Sequence, residues 1–314
     1  MEKINCVYNR VLFIGSKDSG LKVLKKIYHV APDKLIGCVT ANDLSDSRSS
    51  LMQIKEFCDE NKIPIDILAG KNALTESLNK YKPDICFVMG WYYIIPEELI
   101  GQVPGGFIGI HNSLLPSHRG FAPVVWAIIN EDKETGFSVF AIDKGMDTGK
   151  IWYQEKVKIE TSDYVNDVLR KIDERISIFF DKYYIDILSG KICPVEQKPE
   201  KVSYGSMRVA EDGNIDWSRT ANEVYNFIRA QSKPYPGAFT YYKKRKIIIW
   251  KSKIFPHMIQ GSPGQIGIID TASKSVVVVC GENSGIVLEQ IEKEGKEISV
   301  MDEVKSLSHR MGSY

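Results

Sequence analysis

Short, continuous apolar runs alternate with helical stripes over the first ninety residues. Arg10 to Gly15 (RVLFIG), Leu35 to Thr40 (LIGCVT), Pro64 to Leu68 and Asp84 to Gly90 (DICFVMG) have the length of buried strands. Between them, Leu21 to His29, Ser50 to Asn61 and Ala73 to Tyr81 carry apolar residues at helical spacing; in the second of these Leu51, Ile54, Phe57 and Cys58 share one face. Strands and helices alternating at this length predict a Rossmann-like α/β domain, its sheet mostly parallel and its crossovers right-handed. The polar turn Ser16 to Gly20 can cap the first helix. It lacks a Gly-x-Gly-x-x-Gly, which disfavours a nicotinamide cofactor and leaves anion binding at the helix N-terminus as a milder option.

Further along, Phe107 to Ile110 is a short strand ending at His111, and a polar loop, Asn112 to Gly120, leads to a helix over Ala122 to Asn130. A period-2 segment, Thr135 to Ile142, then turns through Asp143-Lys144-Gly145-Met146-Asp147-Thr148-Gly149 into a second strand, Lys150 to Val157. Asp163 to Leu188 has a long apolar stripe and stops at Ser189-Gly190; Lys191 to Gly205, rich in charge and carrying two prolines, reads as a linker. Beyond it come a helix from Asp216 to Gln231 and five short strands: Ala238 to Tyr242, Lys246 to Ile254, Gly264 to Asp270, Ser275 to Cys280 and Gly285 to Ile291. These predict a small barrel, so the expected organisation is a catalytic domain over 1–190, a linker over 191–205 and a barrel domain over 206–314.

The pattern puts a histidine where a strand hands over to a loop, the edge at which open α/β sheets bind ligands. The Asp143 to Gly149 hairpin can lay Asp147 against that edge. An imidazole held by a carboxylate keeps one tautomer, and it can hydrogen-bond an oxyanion or pass a proton near neutral pH. The residues alone also fit a structural histidine and an ordinary turn.

Composition narrows the class. With 314 residues, 43% of them apolar, the chain can bury a full core, and a net charge of +1 gives no global field for nucleic acid. No apolar stretch reaches membrane-spanning length, and Met1 to Arg10 lacks the apolar core of a signal peptide. Cys6, Cys38, Cys58, Cys86, Cys193 and Cys280 are scattered without a Cys-x-x-Cys pair, which reads as reduced thiols in a cytoplasmic protein with no metal site.

The run His111-x-Ser113-Leu114-Leu115-Pro116-x-x-Arg119-Gly120-x-Ala122-Pro123, with Glu134-Thr135-Gly136 and Met146-Asp147-Thr148-Gly149 after it, resembles the signature of the 10-formyltetrahydrofolate-dependent formyltransferases. The resemblance extends to Asp216-Trp217, Arg229-Ala230 and Tyr235-Pro236-Gly237-Ala238-Phe239, and so covers most of the chain. It implies that the C-terminal barrel is OB-like, as in the larger members, and that the co-substrate is 10-formyltetrahydrofolate. It also implies a catalytic role for His111 and Asp147. The third member of the family's catalytic set, an Asn two positions before the His, is Gly109 here. In the family that Asn donates to the formyl oxygen, and losing one such donor costs roughly 100- to 1000-fold in rate. A backbone N–H or a water can fill the role, Asn112 can bend back into the site, or the chain is a weak or altered catalyst. Since alternation puts residues 109 and 111 on one face and 112 on the other, Asn112 needs the chain to turn at His111. The resemblance further implies a pterin slot lined by Tyr93, Ile94 and Ile95 through backbone groups and closed by Asp143, Lys144, Gly145 and Met146.

The acceptor is less marked. Arg119 either binds phosphate or ties its loop down, and the further Arg of several relatives is Phe121 here. Methionyl-tRNA formyltransferases carry a basic insertion after the second strand, where this chain reads Ala41 to Arg48, short and not basic. The cluster Lys243-Lys244-Arg245-Lys246 keeps a tRNA acceptor open; it also fits a solvated turn. Glycinamide ribonucleotide is disfavoured because that enzyme type lacks the barrel. A nucleotide-linked amino sugar suits Trp91, Tyr92 and Tyr93, which can stack on a sugar or base, with Trp91, Ser113 and Arg119 as the expected acceptor-binding side chains. A folate-binding relative without turnover is the non-catalytic alternative, motivated by Gly109. A homodimer follows by analogy alone.

Overall fold

A computed structural model describes residues 7–70 and 74–312. Cys6, Ala73 and the first six residues of the Met1 to Arg10 stretch lie outside them.

In chain order the elements are β1 (Val11–Gly15), α1 (Lys17–Val30), β2 (Leu35–Ala41), α2 (Leu51–Glu60), β3 (Ile65–Leu68), α3 (Leu74–Tyr81), β4 (Ile85–Met89), α4 (Glu97–Ile100), β5 (Phe107–His111), β6 (Arg119–Gly120), α5 (Pro123–Ile129), β7 (Glu134–Ala141), β8 (Ile151–Lys158) and α6 (Val165–Leu188). A second series follows: β9 (Tyr204–Gly205), α7 (Ala221–Gln231), β10 (Ala238–Tyr242), β11 (Arg245–Ile254), β12 (Ile266–Asp270), β13 (Ser275–Val279), β14 (Gly285–Lys293), β15 (Lys296–Ile298) and α8 (Val300–Glu303).

The first sheet has the order β3-β2-β1-β4-β5-β7-β8. Pairing is parallel from β3 through β5 and antiparallel between β5 and β7. The apolar runs became strands because both faces are covered: every residue of β1 and β4 is buried. Ser16 stands at the N-cap of α1, but its side chain makes no cap bond. Its hydroxyl lies 3.3 Å from the Thr40 Oγ1 and accepts from the Ala41 N–H at 3.3 Å, tying the ends of β1 and β2 together.

The chain divides into two compact units. One comprises 1–120, 135–157 and 170–205; the other comprises 121–134, 158–169 and 206–314. This differs from the expected boundaries in three ways, the simplest being that 158–169 groups with the C-terminal series. Segment 191–205 is no free linker but part of the first unit: Tyr204–Gly205 pairs with Arg119–Gly120, and the Arg119 N–H donates to the Ser203 carbonyl at 2.9 Å. Helix α5, in turn, goes with the C-terminal series, where the Trp126 indole donates to the Ser206 carbonyl at 3.1 Å and the Asn226 amide to Glu131 at 2.9 Å.

In the second unit the sheet is antiparallel, ordered β10-β11-β14-β13-β12 with β15 added on β14. Met311 bridges Tyr242 at the end of β10 and Arg310 bridges Gln265 just before β12, so these two neighbours link the two edge strands. Trp217, Val224, Ile228, Tyr242, Ile249, Val278 and Leu288 are among the side chains of its core. Helix α7 starts at Ala221, five residues later than its predicted start. Asp216 accepts from the Ser218 N–H at 3.0 Å and from its hydroxyl, closing a turn, and the helix opens on a Thr220–Glu223 capping box. Strand β15 was not predicted; its three residues carry no apolar alternation.

Candidate active site

His111 ends β5, and β5 lies between β4 and the antiparallel β7. The backbone turns at once, the Ser113 N–H donating to the His111 carbonyl at 2.9 Å. The loop that follows is strapped down from several sides. Ser113 is fully buried and its hydroxyl donates to the Ser117 carbonyl at 2.7 Å, so this expected acceptor-binding residue is spent on loop shape. Ser138 accepts from the Leu115 N–H at 3.0 Å and donates to the Ser113 carbonyl at 2.6 Å, and the His118 N–H donates to the Ser203 hydroxyl at 2.8 Å. The Leu115–Pro116 peptide bond is cis.

This strapping brings the His118 carbonyl to 2.8 Å from Nε2 of His111. A carbonyl only accepts, so Nε2 carries a proton and Nδ1 is left for proton exchange. Nδ1 faces Asp147, with Nδ1 to Oδ2 at 3.7 Å and both side chains mostly buried. That separation is an electrostatic contact, longer than a hydrogen bond. Oδ2 is itself oriented by the Gly120 N–H, which donates to it at 2.7 Å. Asp147 and His118 both adopt left-handed backbone, with φ of 54° and 55°, at a cost of about 1–2 kcal/mol each that the surrounding bonds must offset.

The turn bearing Asp147 is closed by Asp143, whose Oδ1 accepts from the Gly145 N–H at 3.0 Å and the Thr148 hydroxyl at 2.7 Å. Gly149 is required where this turn meets β7, because a Cβ there would fall 1.8 Å from the Ala141 carbonyl oxygen. Lys144, Gly145 and Met146 are exposed.

Gly109 lies in register with Phe140 of β7, and an added Cβ would meet the Phe140 ring at 2.7 Å and Ile142 at 3.1 Å. No side chain fits at 109 in this packing. Phe140 also presents its ring to His111, with centroids 6.3 Å apart and planes at 76°. Asn112 is partly buried and its Oδ1 is sequestered without a hydrogen-bond partner.

The Trp91 to Pro96 segment is a loop leading to the single-turn α4. Ile94 is 93% exposed whereas Ile95 is 6% exposed and joins the apolar cluster beneath. Trp91 packs against the same cluster and edge-on to Tyr93, centroids 5.4 Å apart, with its buried indole N–H unpartnered. Tyr92 donates to Asp43 and to Asp46, each at 2.9 Å, and Arg48 pairs with Asp46 at 2.8 Å. The loop after β2 is thereby tied to the β4 edge. Lys17 lies over the Tyr92 ring, 4.3 Å from its centroid; burial pushes its ammonium below its ordinary range, Arg48 adding repulsion.

Arg119 is 9% exposed and engaged: Nε and Nη2 donate to Gln197 Oε1 at 3.2 and 2.7 Å, and Nη1 donates to the Tyr204 hydroxyl at 3.1 Å. Of its two expected roles, loop tether and phosphate ligand, the geometry shows the tether, with an amide and a phenol as its partners. Gln197 was not singled out from sequence; nothing in its charged, proline-containing surroundings marks it.

A cavity of about 640 Å³ is lined by residues of α1 and by Pro32 and Phe57, and shares no residue with this site. Two of its lysines are already paired, Lys22 with Asp173 and Lys26 with Asp181.

Residues 47–180 match the formyl transferase family and residues 209–306 its C-terminal domain. The chain is 30% identical over 292 residues to methionyl-tRNA formyltransferase of Caldanaerobacter subterraneus, covering 91% of this chain and 93% of that protein. It is 34% identical over 259 residues to the bifunctional polymyxin resistance protein ArnA of Wigglesworthia glossinidia brevipalpis, covering 81% of this chain and 38% of that protein. Among solved structures, an N-formyltransferase from Helicobacter canadensis superimposes with a TM-score of 0.68 at 21% identity, over 89% of this chain and 98% of that one. WlaRD, a sugar 3N-formyl transferase, gives 0.64 at 21% identity, over 91% and 98%. The chain belongs to the formyl transferase family.

Proposed function

We propose that this chain moves a formyl group from 10-formyltetrahydrofolate to the amine of a nucleotide-linked amino sugar, with His111 and Asp147 at the reacting centre. The observation that carries the reading is the approach of His111 Nδ1 to Asp147 Oδ2, with Nε2 committed to the His118 carbonyl.

The residues present fit the folate. A pterin needs an apolar slot with backbone donors and acceptors, and the exposed Ile94 loop and the Asp143 to Met146 turn supply such edges. The unpartnered Trp91 N–H and Asn112 Oδ1 are further groups that a ligand would satisfy. When bound, the folate supplies the formyl carbon. His111 takes the amine's proton at Nδ1 as the amine bonds to that carbon and holds it for the nitrogen that departs as tetrahydrofolate; Asp147 compensates the imidazolium, and the His118 carbonyl keeps the ring in place. Two of the similar solved structures support the donor and the acceptor class: WlaRD contains 5-N-formyl-THF and dTDP, and the Helicobacter canadensis enzyme contains folinic acid and dTDP-3-aminofucose.

The loop after β2 favours the sugar over tRNA. Arg48 is its one cation, and it is paired with Asp46, while Asp43 and Asp46 both accept from Tyr92. A surface meant for a phosphate backbone needs free cations. The second reading, methionyl-tRNA as acceptor, is favoured by the methionyl-tRNA formyltransferase relatives, 30% identical over nearly the whole chain in both the Caldanaerobacter and the Clostridium novyi cases.

The test is release of tetrahydrofolate from 10-formyltetrahydrofolate with a panel of amino-sugar nucleotides and with charged initiator tRNA. Turnover with a sugar nucleotide and weak salt dependence is expected. Turnover with tRNA alone, collapsing between low and moderate salt, supports the second reading, and tight folate binding without release in any case supports the non-catalytic one.

A further inference from the structure

We infer that Gln197, in the polar segment after α6, is a positioning residue for the transfer: its amide sets the distance between Asp147 and His111. The inference rests on the reading of that pair given above.

The Asp147 carboxylate is oriented by the Gly120 N–H at 2.7 Å, while its main chain, in left-handed backbone at φ 54°, has to be held from elsewhere. Gln197 does this. Its Nε2 donates to the Asp147 carbonyl at 2.7 Å and to the Gly149 carbonyl at 2.8 Å, grasping the turn on both sides of Thr148. Its Oε1 accepts from Nε and Nη2 of Arg119, the residue before Gly120, at 3.2 and 2.7 Å. The amide orientation is therefore fixed by chemistry. Rotated by 180°, the NH2 would face a guanidinium and the oxygen would face two carbonyls, leaving four unfavourable contacts.

One side chain thus couples the loop that orients the carboxylate to the turn that carries it. Arg119, 9% exposed, gives both of these donors to the one amide oxygen, so the loop end before Gly120 is held to the amide directly. Removing the amide leaves the Asp147 and Gly149 carbonyls without that donor and frees a strained residue to relax. The 3.7 Å separation from His111 is already long, so little displacement is tolerated. A shift of about 1 Å at a reacting pair costs on the order of 100-fold in rate.

Gln197→Glu separates the two halves of the clamp. It keeps both acceptances from Arg119, now as an ion pair, and turns both donations into repulsion between oxygens. Gln197→Met, near in length and uncharged, removes all four bonds and decides the question should the Glu variant not fold. Tyr204→Phe removes only the outermost bond and serves as the structural control.

The experiment measures kcat and the folate KM for the three variants with wild type and His111→Ala alongside, together with melting temperatures and the imidazole 15N resonances of His111. Expected are a kcat lowered by roughly 100-fold in Gln197→Glu and Gln197→Met, a folate KM within about twofold, and Tyr204→Phe near wild type. The Nδ1 resonance of His111 should move while that of Nε2, bound to the His118 carbonyl, stays. Folded Gln197 variants with wild-type kcat and an unmoved Nδ1 resonance would overturn the inference, as would a rate loss no larger than the loss of folded protein. Full activity in His111→Ala would instead overturn the parent reading, and the resonance comparison would still decide the role of Gln197.

Discussion

Gly109 and Phe140 face each other across β5 and β7, and the Phe140 ring lies 2.7 Å from where a Cβ on Gly109 would be. The two positions are one packing unit: the aromatic ring occupies the volume that a side chain at 109 would take, and it lies near His111. The Asn of the formyltransferase pattern therefore has no room at 109 opposite Phe140, and restoring Asn alone cannot restore the donor.

Gly109→Asn should destabilise the protein by about 1–3 kcal/mol through overpacking and should not raise the rate. Combined with Phe140→Ala, its cost should be strongly non-additive, since the truncation makes the room the amide needs. Chemical denaturation of the four proteins of the cycle measures this. Additive losses would mean that the two positions do not share the volume.

Asn112→Ala tests the substitute donor. Because its Oδ1 is buried without a partner, the substitution should leave the melting temperature nearly unchanged. If its amide serves the formyl oxygen, kcat falls by roughly 100-fold or more. The strand ends at His111 and the chain turns there, so we expect the fall. An unchanged kcat would dismiss Asn112 and leave a backbone N–H or a water as the donor.

The tie between the loop after β2 and Tyr92 has a definite pH dependence. Hydrogen bonds from Arg48 hold the Asp46 carboxyl below its ordinary 3.8, and burial, then the two carboxylates that accept its hydrogen bond, keep the Tyr92 phenol protonated. A carboxyl lowered in the folded state stabilises that state above its unfolded value and loses this contribution as pH falls through the folded one. Asp46→Asn should therefore flatten the acid limb of the stability curve below about pH 4. Parallel acid limbs for variant and wild type would show that the tie contributes nothing to folding.

Much of this was legible in the sequence because it depends on local pattern. Continuous apolar runs marked β1, β2 and β4; a histidine at a strand end and a Gly-rich acidic turn marked His111 and Asp147. What was not legible depends on register and on distant pairing. Alternation shows that residues 109 and 111 share a face, but only the antiparallel offset between β5 and β7 shows that Phe140 lies opposite Gly109. The segment around Gln197 has no periodicity; its order comes from hydrogen bonds to residues about 50 and 78 positions away. Helix α5 has an apolar face that predicts burial without saying against what, and its partner α7 lies some ninety residues on, as the contact between Asn226 and Glu131 illustrates.

The most direct test of the central claim is tetrahydrofolate release by Asp147→Asn and His111→Ala in the presence of a productive acceptor. Asn keeps the shape of the turn and can still accept from the Gly120 N–H, but it cannot compensate an imidazolium. Both variants should fold as wild type, bind folate, and turn over at least about 100-fold more slowly. Near-wild-type release in either would contradict the account and move the chemistry away from this pair.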